Sequence, residues 1–219
     1  MVGQTLATSL WANGTQVMIG TRKVADTLAK PGNPAMGTQS FSDWHQNNAG
    51  VQIGTFAEAA TFGEILINAT SGMGSMDALA SAGVDNLGDK VLIDIANPLD
   101  FSKGMPPTLS VVNDDSLGEV IQREFPRLNV VKTLNTMTAA LMVNPAAVSG
   151  QHNVFVSGND ADAKEQVKTF LTEQFGWAPG SIIDMGDITT ARGTEQLLPI
   201  WIRLYGVLQT PMFNFAIVR

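Results

Sequence analysis

The sequence predicts an α/β protein: a doubly wound, mostly parallel sheet, followed by a smaller C-terminal α/β part that ends in a long helix. Three observations carry this. Short runs rich in Val, Ile and Leu recur along the chain, apolar at consecutive positions as strands buried on both faces are. Helical patterns alternate with them. The 219 residues are 44% hydrophobic and 15% charged, enough to bury a core without cross-links.

The elements follow in order. The opening stretch, "MVGQTLATSLWANGTQVMIGTRK", reads as a helix over 3–12 stopped by Asn13-Gly14, then a strand over 16–21. Strands follow at 51–56 ("VQIGTF"), 64–70 ("EILINAT"), 90–97 ("KVLIDIAN") and 129–135 ("NVVKTLN"). Helices are expected over 76–82, ended by Gly83, and over 116–125, ended before Pro126. Strands at 153–158 and 181–186 flank a helix over 162–175, where Val167, Phe170 and Leu171 share a face. The stretch 189–213 reads as one long apolar helix bent near Pro199, packed on the sheet or on a second subunit. These patterns divide the chain into a dinucleotide-binding part, 1–140, and a smaller C-terminal part, 141–219.

Composition removes several chemistries. With 0 Cys there are no disulfides, thiol nucleophiles or zinc–thiolate sites. A net charge of −7 and a pI near 4.7 argue against a nucleic-acid footprint. No run approaches the ~18 apolar residues of a membrane span, and no basic segment precedes the first apolar residues as in a signal peptide. A cytoplasmic protein with no membrane partner is expected. His45 and His152 are too far apart in sequence for a metal-ligand spacing, so no metal site is expected, and no Gly-x-Ser-x-Gly nucleophile is present. Asp184 and Asp187 read as solvated loop residues. Trp201 and Tyr205, four apart, read as core or dimer packing rather than a substrate platform.

The informative feature is what surrounds the first helix. A dinucleotide fingerprint places Gly-x-Gly-x-x-Gly between a first strand and a first helix, whose free N–H groups receive the pyrophosphate. Gly3 fits the last of those glycines. The strand and the earlier glycines are not in the sequence, and they are expected just upstream of Met1. One helix and one strand later comes Gly20-Thr21-Arg22-Lys23. NAD-binding chains carry a carboxylate there for the ribose 2′-hydroxyl; here a hydroxyl and two cations stand in its place. An arginine fork suits a 2′-phosphate, which favours NADP. The loop "NATSGMGS" and the strand ends at Asn97-Pro98 and Asn135-Thr136 converge on the same carboxyl edge, where open α/β sheets bind ligands.

Taken together, "MVGQTLA…VMIGTRK", "NATSGMGS", "DIANPLDFSKG" and "VVKTLNTM" resemble the NADP-dependent oxidoreductases related to coenzyme F420:NADP reductases. The resemblance runs in order along the chain. It implies a Rossmann-like fold whose first, central strand lies between the strands at 16–21 and 64–70. It also implies cofactor roles: Met1, Val2 and Gly3 against the pyrophosphate, Thr21, Arg22 and Lys23 on the 2′-phosphate, Ala69, Thr70 and Ser71 along the ribose and phosphates, and Asn97, Pro98 and Asn135 beside the nicotinamide. The implied reaction moves a hydride between NADP(H) and a small-molecule redox acceptor, coenzyme F420 or a flavin, in a homodimer. Such transfer rests on ring stacking and water exclusion, so no catalytic residue is named. A dinucleotide-binding or sensing module without turnover, or a truncated inactive form of the reductase, is the alternative. A 3-hydroxyacid or pyrroline-carboxylate type reductase fits less well, because such enzymes add a large all-helical domain and strand patterns follow Asn135 here.

Overall fold

The computed structural model describes residues 1–32 and 39–219. Helix α1 (Val2–Ala12) opens the chain and ends at Asn13; Gly14, at φ +85°, turns it toward β1 (Met18–Thr21). Two short helices, α2 (Val24–Leu28) and α3 (Phe41–Asn47), lead to β2 (Gln52–Thr55), which pairs in parallel with β1. Ser40 caps α3 by accepting from the Asp43 amide at 3.0 Å, and Trp44 buries its ring against Ala7 and Val51. Helix α4 (Phe56–Phe62) starts on a capping box, Thr55 and Glu58 satisfying each other's backbone amides.

The main sheet then assembles. Strands β3 (Ile65–Asn68), β4 (Val91–Asp94) and β7 (Asn129–Thr133) run parallel, β8 (Val154–Gly158) joins β7 antiparallel, and β9 (Ile182–Gly186) is parallel to β8. The order is β3-β4-β7-β8-β9. Helices α5 (Gly72–Ala82), α6 (Val84–Leu87) and α7 (Leu117–Glu124) cover one face, while α1, α8 (Ala139–Val143) and α9 (Ala161–Phe175) cover the other. Adjacent strand residues therefore go to opposite cores. Leu92 and Val130 pack with Leu79 and Ile121, whereas Ile93 and Val131 pack with Leu6, Val167 and Leu171. This explains why these strands carry apolar residues at consecutive positions.

Three details differ from the sequence reading. Helix α5 starts at Gly72, a turn before the expected Met76, because Gly72 packs directly under the Asn97 carbonyl: a Cβ there would lie 2.1 Å from that oxygen. Past Pro98, where the sequence reading assigned no element, the chain forms a small antiparallel ribbon, β5 (Leu99–Asp100) with β6 (Thr108–Leu109). The single helix expected over 189–213 is two, α10 (Ala191–Gln196) and α11 (Leu198–Leu208). Pro199 does not bend one helix; it sits in the first turn of the second, where its missing N–H costs nothing. The chain beyond Gln209, which is left-handed at φ +56°, is not helical.

Strands β1 and β3 belong to separate sheets. Between them runs a groove of about 750 Å³, walled by Gln16–Gly20 on one side and Ile65–Ala69 on the other. Leu6 and Leu10 line it from one layer, Phe56 and Leu79 from the other. This is where the sequence reading expected the central strand of a Rossmann-like sheet.

Candidate functional site

The carboxyl ends of β3, β4 and β7 build one connected surface. At the end of β3, buried Asn68 donates to Ser75 Oγ at 3.0 Å and to Asp94 Oδ1, at the end of β4, at 2.9 Å. Thr70 Oγ1 donates to Asn68 Oδ1 at 2.7 Å, which fixes the Ala69–Ser71 loop. The next pair is reciprocal: Asn97 Nδ2 donates to the Asn135 carbonyl at 2.8 Å, and Asn135 Nδ2 donates to Asn97 Oδ1 at 2.9 Å. Leu134, left-handed at φ +59°, makes the turn that aims Asn135 inward after β7.

Beneath this surface lies a charge cluster. Lys132 is fully buried, with its Nζ 2.6 Å from Asp94 Oδ2 and 2.8 Å from Glu195 Oε1, and it donates to the Ala96 carbonyl at 2.7 Å. The Asp94 contact is an ion-pair distance without hydrogen-bond alignment. Glu195 also accepts the Leu117 and Gly118 amides at 2.8 and 3.1 Å, so it ties α10 to the start of α7. Burial alone would lower the Lys132 ammonium, but the two carboxylates outweigh it and hold it above the ordinary lysine value. Burial pushes the Glu195 carboxyl up, against the pull of Lys132. One ammonium thus serves two carboxylates.

A second cavity, about 220 Å³, opens on this surface. Its lining brings together Val2, Ala69, Thr70, Asn97 and Asn135, all anticipated from sequence, with Gly72, Met137, Leu198 and Trp201. Trp201 arrives from α11. Its ring stacks on Tyr205 (5.8 Å between centroids, 15° between planes) and on Phe213 (5.3 Å, 23°), and its buried Nε1–H has no hydrogen-bond partner among the described residues. Gly3 faces the Ala69 methyl, 3.6 Å from where a Cβ would stand, and lines the larger groove. Arg22 leaves the end of β1 and crosses to α5, so that a Cβ built at Gly74 would lie 3.7 Å from its guanidinium. Among the described residues Arg22 has no carboxylate within ion-pair distance, whereas Lys23 stands 4.0 Å from Asp26, both exposed. Thr21 bonds to Thr27 through its hydroxyl. Met1, Ser71 and Pro98 line neither cavity; Met1 is exposed, Ser71 precedes α5, and the Pro98 carbonyl accepts from the Ser110 amide.

Residues 1–98 match the profile of the family described as NADP oxidoreductase, coenzyme F420-dependent. A protein provisionally named F420-dependent NADP reductase, from Arthrobacter sp. FB24, is 53% identical; the match covers 100% of this chain and 95% of that one, with a TM-score of 0.92. The chain belongs to the F420-dependent NADP oxidoreductase family. An imine reductase of Myxococcus stipitatus in complex with NADP+ shares the fold at 15% identity and TM-score 0.58, over 95% of this oxidoreductase and 61% of that chain. So does a hypothetical protein of Sinorhizobium meliloti, at 22% identity and TM-score 0.59, over 87% and 82%. No curated protein matches the sequence.

The residues present suit the family's cofactor. The Arg22 guanidinium and the open rim at Gly74 fit a phosphorylated ribose. Gly3 and Gly72 let the loops of this rim pack closely on one another, Gly3 against the Ala69 methyl and Gly72 against the Asn97 carbonyl. Among the described residues no His, Asp and Glu cluster would hold a metal ion, and no helix is long and apolar enough to cross a membrane. Sequence reasoning passed over Lys132, Asp94 and Glu195. The signal was there for two of them, since "NVVKTLN" and "VLIDIAN" each place one charge inside an otherwise buried strand. His152 is a buried loop residue; its ring meets Trp177 edge-on at 5.2 Å and bonds to the Pro145 carbonyl and Asn214.

Proposed function

We propose that this oxidoreductase transfers a hydride between NADP(H) and a deazaflavin- or flavin-like acceptor. The observation that supports the reading is the reach of Arg22 to Gly74, which brings the cation after β1 to the first turn of α5, the helix that the Thr70 loop leads into. In this reading Thr21, Arg22 and Lys23 hold the 2′-phosphate. Met1, Val2 and Gly3 border the pyrophosphate, and Ala69, Thr70 and Ser71 follow the ribose. Asn97, Pro98 and Asn135 frame the nicotinamide, the side-chain amides of Asn97 and Asn135 already oriented by each other. NADPH supplies the two-electron hydride; the protein positions the rings and excludes water.

The acceptor half of the reading is supported by Trp201, an aromatic residue that lines the same cavity as the side-chain amides of Asn97 and Asn135. A planar, carbonyl-bearing ring system suits both. Residues 1–140 then supply the dinucleotide site and 141–219 the acceptor wall. Ile200, Tyr205, Val207 and Leu208 expose apolar surface along α11, which supports a homodimer.

The test is Arg22→Glu. Loss of charge-assisted bonds to a phosphate, plus repulsion, should weaken NADPH about a hundredfold while leaving NADH nearly unchanged. Fluorescence titration of both cofactors measures this. Equal weakening of the two would remove the 2′-phosphate assignment.

A further inference from the structure

We propose that His152 and Asn214 are positioning residues for the wall of the smaller cavity: together they latch the chain beyond Gln209 across the start of β8, which seats Phe213 on Trp201, and the latch holds only while the His152 ring is neutral. That this wall faces an acceptor rests on the hydride-transfer reading; the latch does not.

The chain beyond α11 forms no helix or strand, yet it is tied to the residues just ahead of β8. The Asn153 amide donates to the Phe215 carbonyl at 2.9 Å, and the Ile217 amide donates to Asn153 Oδ1 at 2.8 Å. Between them, Asn214 Nδ2 donates to His152 Nδ1 at 2.8 Å and to the Asn153 carbonyl at 3.0 Å. Phe213, the residue before, is thereby held where its ring stacks on Trp201. The same pair supports the rest of the wall. Asn214 Nδ2 lies 4.0 Å from Met137 Sδ, and His152 packs edge-on against Trp177, whose Nε1–H donates to the Met142 carbonyl at 3.0 Å. Met137, Met142 and Trp201 all line the cavity.

The hydrogen-bond partners fix the protonation state. A carbonyl can only accept, so His152 Nε2, 2.9 Å from the Pro145 carbonyl, carries the hydrogen and Nδ1 is the acceptor. The Asn153 carbonyl likewise requires the NH2 end of Asn214; turned over, that amide would set its oxygen against the carbonyl. A second proton on the ring would therefore oppose a donor to a donor that cannot turn away. Pro145, Trp177 and Asn214, which pack on the ring, carry no titratable side chain. Among the described residues no carboxylate lies within ion-pair distance of it to stabilise an imidazolium.

The test is Asn214→Ala in the full chain, read by backbone amide exchange and by the indole N–H resonances of the four tryptophans. Opening the latch should speed exchange of the Asn153 and Ile217 amides about tenfold, the size of one or two lost hydrogen bonds. It should also shift the Trp201 indole signal and leave those of Trp11 and Trp44 in place. Lowering the pH through the range in which histidine side chains take a proton should produce the same changes in the unsubstituted chain. It should produce none in His152→Asn, whose Oδ1 still accepts from Asn214 and does not titrate, and no further change in Asn214→Ala, which is already open. Wild-type exchange and an unmoved Trp201 signal in Asn214→Ala would overturn the proposal. So would an unsubstituted chain that ignores pH, or exchange that accelerates equally in β4 and β7, since Asn214 would then serve general stability alone. With FMN as the probe acceptor, Asn214→Ala should raise KM about threefold and leave NADPH affinity unchanged. If the unsubstituted chain does not reduce FMN, the hydride-transfer reading loses its flavin acceptor, while the exchange and indole signals still decide the latch.

Discussion

Strands β4 and β1 are each four residues long, Val-Leu-Ile-Asp and Met-Ile-Gly-Thr, yet every residue of β4 is buried and every residue of β1 only half-buried. The local pattern does not explain the contrast. Strand β4 has a paired neighbour on each side and a helix layer on each face; β1 has β2 on one side and the groove on the other. Burial is a property of the neighbours. The two sides also divide the proposed chemistry: Arg22 on the β1 side addresses the phosphorylated ribose, and the β4–β7 side carries the amides and the aromatic wall.

The buried charge cluster sets the largest expected difference. Lys132→Met leaves Asp94 and Glu195 buried without their ammonium, which should cost about 3–5 kcal/mol in urea unfolding. The pH dependence has a definite sign. Burial already raises the Glu195 carboxyl, so the folded state binds the proton more tightly than the unfolded chain and stability falls as pH rises through that window. The Lys132→Met loss should therefore shrink on acidification, as Glu195 becomes neutral. A loss of under about 1 kcal/mol would mean that the cluster is wetted, and the contrast between the two sides would weaken.

Paired truncations sharpen the same contrast. Ile93→Ala, at 1% exposure in β4, should destabilise by about 2–5 kcal/mol. Ile19→Ala in half-buried β1 should cost about 1 kcal/mol, since the side chain already borders an open groove. Equal losses by chemical denaturation would show β1 to be as enclosed as β4.

The strands were legible because each is apolar at successive positions and bounded by Gly, Asn or Pro, a purely local signal. The rim of the site was legible for the same reason: small polar residues sit where strands stop. The features missed are tertiary. That α5 begins at Gly72 depends on an Asn97 carbonyl a crossover away. That Pro199 starts a helix shows only in the break at Leu197, between α10 and α11, which no local pattern in the sequence marks. The Trp201–Tyr205 spacing announced a helix but not its destination, because Phe213 folds back from beyond that helix to complete the stack.

Trp201 accordingly gives the smallest and most discriminating effect. Removing the ring should raise KM for the acceptor about tenfold, the size of a lost stacking contact with its burial, while NADPH affinity stays unchanged. Trp201→Phe keeps an aromatic face and deletes the buried Nε1–H, so it separates the two contributions. Recovery of most of the acceptor affinity in the phenylalanine variant would assign the role to stacking; an equal loss in both variants would assign it to the donor. The mirror experiment is Arg22→Glu, which should move NADPH and not the acceptor. If Trp201→Ala instead weakened NADPH and left the acceptor untouched, the two sides of the molecule would not divide the two substrates, and the functional half of the contrast would fail while the structural half stood.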